Sequence, residues 1–410
     1  MALELINEGG ASLYVASGEA GVLGYVAIDS EIAGRSCGGL RMLEDVTPDE
    51  IRMLARAMTL KYGLLALPQG GAKAGVLGDP DAPARERFER LRAFGRAIAP
   101  LLCSRRYVPG VDMGTTATDV RDMLRSAGVP VASRDLRETA SGFYTAVSVM
   151  AGVSQAACRI GLDLSGSTAA VEGFGKVGSA LAGLLAGSGV KVVAISTSRG
   201  ALYNPRGLNI ERLQRTAAEE GSSVVEVCRD GELMKRSALL ELPLDVLCPC
   251  ARGGSIDPTN AGRVQAKILS TGANNAVRPE AEEILRARGV LCLPDFVTNC
   301  GDVLGGTMEF ASMRPSAVAA FVDRAVRAIV LWTLDESDHT GSAPQAVAEA
   351  LALSRFASVK AAAEHPTLGA KVFSAGLSLY RRGLIPAALV RWKARGYFER
   401  LLAESPYGGG

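Results

Sequence analysis

The sequence predicts an α/β fold in two domains: a mixed α/β domain over residues 1–138, a doubly wound parallel-sheet domain over residues 139–325, and C-terminal helices over residues 326–410 that pack back on the first domain. Three observations support this prediction. A chain of 410 residues is too long for one ordinary hydrophobic core. From about Ser141, helical and strand patterns alternate, which is typical of parallel sheets with helices on both faces. After about Gly301 the pattern is helical.

The first domain opens with strand patterns and continues with amphipathic helices. "ASLYVASG" and "GVLGYVAIDS" are apolar runs separated by glycine, which predicts a hairpin. "TPDEIRMLARAMTLKYGLLAL" predicts a helix, and Thr47 three residues before Glu50 is the signature of a capping box. "DAPARERFERLRAFGRAIAPLL" predicts a second helix. "RRYVPGVDMGTTATDVRDMLRSAG" predicts a strand, a turn around Asp112 and a helix capped near Thr118.

The second domain repeats a strand–helix rhythm. "SGFYTAVSVMAGVSQAA" predicts a helix, "STAAVEGFGKVGSALAGLLAGSG" a strand, a glycine turn and a helix, and "VKVVAISTS" a further strand. Short apolar runs in "LDVLCPC", "AKILSTGA" and "VLCLPDFV" extend the sheet. The tail "ESPYGGG" is expected to be frayed.

Composition excludes several classes of protein. The formal net charge is +2, from 45 basic and 43 acidic residues without a basic stripe, so no nucleic-acid or membrane partner is expected. The start "MALELINEGG" does not have the pattern of a signal peptide, and no run of about eighteen apolar residues occurs, so we expect a cytoplasmic protein.

Cysteine and histidine counts limit the chemistry. The lone CxC of Cys248 and Cys250 favours buried reduced thiols over a disulfide framework or a zinc site, and no metal is expected. The two histidines, His339 and His365, lie in polar or turn-like segments. Proton chemistry would therefore depend on Lys, Asp, Glu, Tyr or Cys.

A glycine-rich motif predicts a dinucleotide site. "VEGFGKVG" carries GxGxxG at Gly173, Gly175 and Gly178, after an apolar strand and before an apolar helix. Gly173 allows a tight turn, Gly175 lets a diphosphate approach the backbone, and Gly178 permits close packing of helix on strand. Together with Lys176 and Val177 at the helix start, this predicts a Rossmann fold that binds NAD or NADP. A glycine turn without a ligand is the less favoured alternative.

The end of the next predicted strand bears on the choice of cofactor. Dinucleotide folds often place an acid there on the adenosine ribose, whereas this chain has Thr197 and, two residues later, Arg199. The missing acid removes repulsion of a 2′-phosphate and Arg199 could attract one, which slightly favours NADP. The alternative, a solvated Arg199 and a pocket that takes either cofactor, carries about equal weight.

Several motifs occur together in the order of a known family. They are "CGGLRM", interpreted as a turn, "MTLK", a helix end with Lys61, "LPQGGAK", interpreted as a loop with Lys73, and "DMGTT", a turn with Asp112. "GALYNPRGLNI", "STGANN" and "PDFVTNCGD" follow. From about residue 30 to 310 the chain resembles the glutamate/leucine/phenylalanine/valine dehydrogenase superfamily, and its pocket motifs resemble the leucine/phenylalanine branch.

The resemblance implies an activity and residue roles. The activity is reversible oxidative deamination of an L-amino acid with NAD or NADP, in a homo-oligomer. Lys61 would bind the substrate α-carboxylate, Lys73 would polarise the carbonyl or activate water, and Asp112 would shuttle a proton on the amino nitrogen. Since two buried lysines repel and lose hydration, one should have a lowered pKa. Further positions carried over are Gly38, Gly39 and Asn299 for the substrate and Asn274 for the cofactor.

Taken singly, these residues have ordinary structural interpretations. Lys61 could be a helix-end lysine that interacts with the last carbonyl groups, and Asp112 a turn or cap aspartate. The presence of all three charged residues in family order makes those interpretations the weaker ones.

Three small residues bear on the substrate. Glutamate enzymes of the family carry a lysine and a serine where this chain has Cys37 and Gly306, so glutamate is disfavoured. Gly110 matches the phenylalanine enzymes, and the three residues predict a roomy apolar pocket for an aromatic or bulky side chain. Alternatively, another residue fills the space.

Two other functions stay open. The first is a glutamate dehydrogenase with atypical carboxylate recognition, for instance by Arg41. The second is a regulatory homologue that senses an amino acid within a hetero-oligomer. Asp302 stands where the family has a glycine, and its role is not predicted.

Overall fold

The computed structural model describes residues 2–8, 11–132, 136 and 139–407. The chain divides into two compact units, Met1–Thr139 with Glu349–Lys393 and Ala140–Ala348 with Ala394–Gly410. The predicted two-domain α/β fold with C-terminal helices is confirmed. Residue 138, the predicted domain boundary, lies outside the described residues, as do the last three glycines of the tail. The boundaries at 138 and 325 stay predictions.

The first unit contains a six-stranded sheet of mixed direction. Its strand order is β1-β2-β3-β5-β4-β6, in which β4 runs parallel to both β5 and β6 and the other pairs are antiparallel. The strands are β1 (Ala2–Glu8), β2 (Ala11–Gly18), β3 (Gly21–Ile28), β4 (Ser36–Leu43), β5 (Gly70–Leu77) and β6 (Tyr107–Val111). The predicted hairpin is β2–β3, with Ser12 opposite Ile28.

Two expectations for this sheet were wrong. "CGGLRM", interpreted as a turn, lies in strand β4, and "GGAK", interpreted as a loop, lies in strand β5. Glycine weakens a strand in general, but here it admits neighbouring backbone. A Cβ atom added at Gly38 would collide with the Ala72 carbonyl oxygen, and one added at Gly71 would collide with Thr59.

The second unit contains a seven-stranded sheet of the doubly wound type. Its order is β10-β9-β8-β7-β11-β12-β13, with β8, β7, β11, β12 and β13 parallel and β9 and β10 antiparallel at one edge. The strands are β7 (Thr168–Glu172), β8 (Lys191–Thr197), β9 (Gly200–Tyr203), β10 (Glu232–Met234), β11 (Val246–Pro249), β12 (Ile268–Leu269) and β13 (Leu291–Cys292). The three short apolar runs noted above supply β11, β12 and β13.

Helices cover both sheets. In chain order they are α1 (Pro48–Leu64), α2 (Ala84–Ala97), α3 (Ala99–Cys103), α4 (Ala117–Ser126), α5 (Ser141–Arg159), α6 (Lys176–Gly187), α7 (Ile210–Glu220), α8 (Val224–Val227), α9 (Pro279–Ala287), α10 (Asp295–Thr298), α11 (Gly301–Phe310), α12 (Pro315–Thr340), α13 (Pro344–Glu364), α14 (Leu368–Arg381) and α15 (Ala387–Ala403). Within the part of the chain that the structure describes, none is long and apolar enough to cross a membrane.

The cores follow from these layers. In the first unit one face of the sheet packs on α2 and α4 around Leu40, Val76 and Phe94, and the other face packs on α1 through Ile51 and Leu54. Burial of such side chains contributes roughly 1.5–3 kcal/mol each relative to exposure. In the second unit a core around Ala170, Leu247 and Leu285 lies against the sheet.

Helix caps correct two details of the predictions. The Thr47 hydroxyl accepts a hydrogen bond from the Glu50 backbone N–H at 3.2 Å, but the Glu50 carboxylate binds Arg41 rather than completing the predicted capping box. Helix α4 begins after Thr116, not Thr118, because Thr116 and Asp119 form a full capping box. Thr118 therefore lies in the first turn, exposed to solvent.

Candidate active site

Three neighbouring parallel strands bring together the predicted catalytic residues of the first unit. Strand β4 lies between β5, which carries Lys73, and β6, which Asp112 directly follows. Gly39 of β4 pairs with Gly110 of β6. A Cβ atom added at Gly39 would lie 2.7 Å from Asp112 Cβ and 3.0 Å from Lys73 Nζ. Glycine at position 39 is therefore what allows the lysine and the aspartate to meet.

Lys73 and Asp112 form a buried ion pair. Lys73 Nζ lies 2.7 Å from Asp112 Oδ2. The lysine is only 4% exposed, whereas the aspartate side chain retains 21% of its exposure. The pair thus combines a nearly dry cation with a carboxylate that solvent or a small ligand can reach.

The turn after β6 fixes the aspartate. The backbone N–H of Asp112 donates to Thr115 Oγ1 at 3.1 Å, and that hydroxyl donates to the Leu40 carbonyl at 2.7 Å. Gly114 has φ +76°, a left-handed conformation that favours glycine. Thr116 then caps α4. Four of the five residues of "DMGTT" therefore have a local role, and together they hold the Asp112 carboxylate on the β4 side of the turn.

A buried arginine completes the charge cluster. Arg41 Nε donates to Asp112 Oδ2 at 3.2 Å, and its Nη1 donates to Glu50 Oε1 at 2.7 Å. These two bonds commit its guanidinium to protein carboxylates, which weighs against Arg41 as the group that binds a substrate carboxylate. Sequence reasoning missed the Arg41–Glu50 contact. The period-2 spacing of Gly39 and Arg41, which puts both on one face of β4, was the available signal.

The charges in this cluster perturb one another. Burial lowers the pKa of Lys73; Asp112 opposes that effect, while repulsion from Arg41 and Lys61 adds to it. Burial alone would raise the pKa of Asp112, but attraction to Lys73 and Arg41 outweighs it and holds that pKa well below its usual range. The lowered pKa of Lys73 agrees with the expectation that one of the two lysines, Lys61 or Lys73, has a lowered pKa.

The second lysine of the predicted site, Lys61, belongs to helix α1. It lies in the last turn of that helix and is 1% exposed. Two residues earlier, Thr59 donates to Asp29 Oδ2 at 2.5 Å and contacts Ser30 Oγ at 2.7 Å. Ser30 Oγ in turn accepts from the Gly71 N–H at 2.8 Å. This polar network ties α1, which carries Lys61, to β5, which carries Lys73.

The predicted substrate-side positions differ in the space around them. Burial raises the pKa of the Cys37 thiol, so the thiol stays neutral near pH 7 although its hydrogen bond with Tyr62 acts in the opposite direction. A Cβ atom added at Gly110, or one added at Gly306, would have no neighbour within 4 Å among the described residues. Asp302, in the first turn of α11, accepts a hydrogen bond from the Val303 N–H at 2.7 Å.

The glycine-rich turn of the second unit joins β7 to α6. Gly173 has φ +89°, and a Cβ atom there would lie 2.8 Å from Ala251 Cα. Gly178 packs against the Gly173 carbonyl group, where a Cβ atom would collide. Gly175 is the exposed N-cap of α6, which leaves room for a ligand at the helix N-terminus. Lys176, exposed, and Val177, half-buried, follow it.

The neighbouring strand end is polar but not acidic. Thr197 is buried, and its hydroxyl donates to the Ser222 carbonyl at 2.7 Å and accepts from the Arg199 N–H at 3.2 Å. Arg199 itself is exposed. Ser196, which was not predicted as a site residue, accepts a hydrogen bond from the Gly173 N–H at 3.0 Å and steadies the turn.

Two further features complete this unit. Asn299 Nδ2 donates to Asn274 Oδ1 at 3.0 Å, so two predicted site residues 25 positions apart in the sequence lie together. Glu172, which the sequence reasoning missed, is a buried carboxylate at the end of β7, and burial raises its pKa. Its position immediately before the glycine motif was visible in the sequence, but its burial was not.

The strand order and glycine turn of the second unit define a protein of the dinucleotide-fold class. The family model described as Glutamate/Leucine/Phenylalanine/Valine dehydrogenase matches residues 138–361. A second, described as Glu/Leu/Phe/Val dehydrogenase, dimerisation domain, matches residues 14–127. The chain belongs to the Glu/Leu/Phe/Val dehydrogenase family, a family of amino acid dehydrogenases. The predicted family is thus confirmed, and its leucine/phenylalanine branch stays a prediction.

Two similar proteins and one similar solved structure are glutamate dehydrogenases. A glutamate dehydrogenase of Thermotoga maritima is 37% identical over 304 residues, 70% of this chain and 72% of that protein. An NAD-specific glutamate dehydrogenase of Staphylococcus aureus is 33% identical over 301 residues, with the same coverage of 70% and 72%. The leucine-bound hetero-hexameric glutamate dehydrogenase of Thermus thermophilus superposes with a TM-score of 0.72 at 26% identity, covering 87% of this chain and 88% of that one.

An L-tryptophan dehydrogenase from Nostoc punctiforme shares the fold alone. Its TM-score is 0.59 at 22% identity, covering 86% of this chain and 97% of that chain.

Proposed function

We propose that this protein catalyses the reversible NAD(P)-dependent oxidative deamination of an apolar, aromatic or otherwise bulky L-amino acid to its 2-oxo acid and ammonia. The observation that carries the proposal is the buried Lys73–Asp112 pair at 2.7 Å. A lysine with a lowered pKa beside an ionised carboxylate is suited to proton transfer near neutral pH. Family membership supplies the class of reaction.

The glycine turn fits the diphosphate of a dinucleotide. Gly175 is open, Gly178 lets α6 pack closely, and the helix N-terminus offers unpaired backbone N–H groups. The diphosphate would be held by Gly173, Gly175, Lys176, Val177 and Gly178. Thr197 and Arg199 would lie toward the adenosine ribose. Asn274, which is hydrogen-bonded to Asn299, would also contact the cofactor. The bound dinucleotide supplies the acceptor for the hydride that leaves the substrate Cα.

The chain's own residues supply binding and proton transfer. The Lys61 ammonium would bind the substrate α-carboxylate, which keeps that lysine charged. Asp112 would accept a proton from the substrate amino group. After the hydride has left, Lys73 in its neutral form would take a proton from the water that adds to the imino carbon. Asp112 would return its proton to the nitrogen and, as the C–N bond breaks, would accept the proton of the new hydroxyl group. Ammonia and the 2-oxo acid are the products.

Substrate choice would depend on the three small residues. The neutral Cys37 thiol offers no charge to a side-chain carboxylate, and burying an unpaired carboxylate costs several kcal/mol, roughly. Open space at Gly110 supports a large apolar side chain. Gly306 is the other small residue that the resemblance assigns to the substrate. Glutamate is the second candidate, because named relatives at 37% and 33% identity are glutamate dehydrogenases.

A turnover panel distinguishes these candidates. Absorbance at 340 nm would be followed with phenylalanine, tryptophan, leucine and glutamate, each with NAD+ and with NADP+. We expect higher kcat/KM for the aromatic and branched substrates than for glutamate. Turnover of glutamate alone would refute the pocket argument, and turnover of no amino acid would favour the regulatory alternative.

A matched variant tests the role of the pocket. Cys37→Lys with Gly306→Ser restores the residues that glutamate enzymes carry, and we expect glutamate turnover to rise while phenylalanine turnover falls. A parallel fall in both would contradict the assignment. Cys103→Lys, at an exposed cysteine of the same unit, is the control for an added lysine.

Cofactor and assembly belong to the same proposal. We expect the protein to accept NAD or NADP. A slight preference for NADP is expected because position 197, where an acidic residue would repel the 2′-phosphate, is a threonine. The family match over residues 14–127 is to a dimerisation domain, which supports a homo-oligomer. A cytoplasmic location is part of the same proposal. Light scattering of the purified chain measures the oligomeric state directly.

A further inference from the structure

Arg41 is a buried cation to which the proposed reaction assigns no role. It lies in β4 and is 5% exposed. Its guanidinium joins Asp112 of the proposed catalytic pair to Glu50 in the first turn of α1, at 3.2 and 2.7 Å. Four charges of alternating sign therefore run from Glu50 through Arg41 and Asp112 to Lys73.

The fork of an arginine is what this arrangement requires. Two of its nitrogens donate in different directions, which a lysine ammonium on a flexible stem does not reproduce in a fixed geometry. Arg41 Nε and Lys73 Nζ share the same oxygen, Asp112 Oδ2. The arginine thus restrains the carboxylate from one side while the lysine holds it from the other.

We propose that Arg41 is a positioning residue for amino acid deamination, which holds the Asp112 carboxylate against Lys73 and, through Glu50, sets the charge balance of that pair. The inference rests on the proposed function for its consequence in catalysis. Its structural part concerns the titration of Lys73 and can be measured without turnover.

The sign of the effect follows from all the groups that face Lys73 and Asp112. These are Arg41 and Cys37 from β4, Tyr107 from β6, and Lys61, Glu50 and Tyr62 from α1. Cys37 and Tyr107 are neutral near pH 7, because burial raises the pKa of each. Removing the Arg41 charge relieves a repulsion on the Lys73 ammonium. It also removes the second cation that binds Asp112, so that the carboxylate interacts with Lys73 without competition from Arg41. Both changes favour the protonated form of Lys73.

The experiment measures the titration of Lys73 in the full-length protein by trace acetylation at a series of pH values, read by mass spectrometry. The kcat/KM profile is recorded in parallel with the amino acid that the panel identifies. Arg41→Met should move the Lys73 midpoint, and the rising limb of kcat/KM, to higher pH by about one unit. Glu50→Gln leaves the arginine charge less compensated and should move both by a smaller amount to lower pH.

Two further variants separate charge from position. Arg41→Lys keeps the positive charge but cannot bind Glu50 and Asp112 at the same time in the same geometry. The titration midpoint of Lys73 should therefore stay near the wild-type value, while kcat should be at least tenfold lower than in wild type. Arg92→Met removes an exposed arginine of the same unit that forms a comparable pair with Asp122, and it should change neither readout. If Arg41→Met does not fold, Glu50→Gln and Arg41→Lys decide.

The outcomes distinguish this inference from the proposed function. An unchanged Lys73 midpoint in both Arg41→Met and Glu50→Gln would overturn the inference, whether or not the wild type turns over. Shifted midpoints in a protein that deaminates no amino acid would support the charge coupling and refute the proposed function. Full kcat in Arg41→Lys would overturn the positioning role.

Discussion

Replacing Gly39 with alanine tests whether the close approach of Lys73 and Asp112 governs activity. The added Cβ atom would lie 2.7 Å from Asp112 Cβ, whereas carbon atoms in contact sit about 3.5–4.0 Å apart. The aspartate must therefore move by about 1 Å, and the 2.7 Å bond to Lys73 lengthens beyond hydrogen-bond range. A misplacement of that size costs about 100-fold in rate, and overpacking costs about 1–3 kcal/mol of stability.

The neighbouring glycine is a matched control. Gly110 pairs with Gly39 across two parallel strands, and a Cβ atom there would meet no described atom within 4 Å. We expect Gly39→Ala to lower both kcat and the melting temperature, and Gly110→Ala to leave the melting temperature unchanged while reducing turnover of the bulkiest substrates. Steady-state kinetics and thermal unfolding measure both. Equal kcat in Gly39→Ala and wild type would refute the reasoning about the pair.

Three other predictions concern stability and cofactor choice. Burial raises the pKa of Glu172 above its unfolded value of about 4.3, so the folded wild type loses stability as pH rises above that value. The melting temperature of Glu172→Gln, measured relative to wild type, should therefore increase between pH 4 and 8. A pH-independent difference would contradict this. Thr116→Ala should cost about 1 kcal/mol in urea unfolding, and Thr118→Ala less than about 0.5 kcal/mol; equal losses would show that Thr116 is not the cap. Arg199→Ala should raise KM for NADP+ more than for NAD+, since only NADP+ carries the 2′-phosphate, and equal changes would exclude that contact.

Local signals predicted the elements whose causes are local. The β2–β3 hairpin, the helix after Thr47 and the β7–α6 glycine turn follow from apolar periodicity, caps and turn residues within a few positions. Strand β1, which pairs antiparallel with β2, was not predicted.

The glycines of β4 and β5 prevented the prediction of these two central strands from the sequence. β4 and β5 were interpreted as a turn and a loop because their glycines suggest bends, whereas the cause lies in atoms far along the sequence: Ala72 beside Gly38, and Thr59 beside Gly71. The motif order indicated Lys73 and Asp112, which lie 2.7 Å apart, but not that Arg41 and Glu50 extend the cluster. Such contacts depend on the register of β4 against α1, which no short window of sequence specifies.

The composition of the first unit has a consequence for protein synthesis. That unit combines Met1–Thr139 with Glu349–Lys393, and Gly63 of α1 packs directly on the Ala352 carbonyl group of α13. At about 5–20 residues per second, the ribosome needs roughly 10–40 s to make the stretch between the two segments. During that time the helix that carries Lys61 lacks its α13 neighbour, so the proposed catalytic unit cannot be completed until most of the second unit has been synthesised.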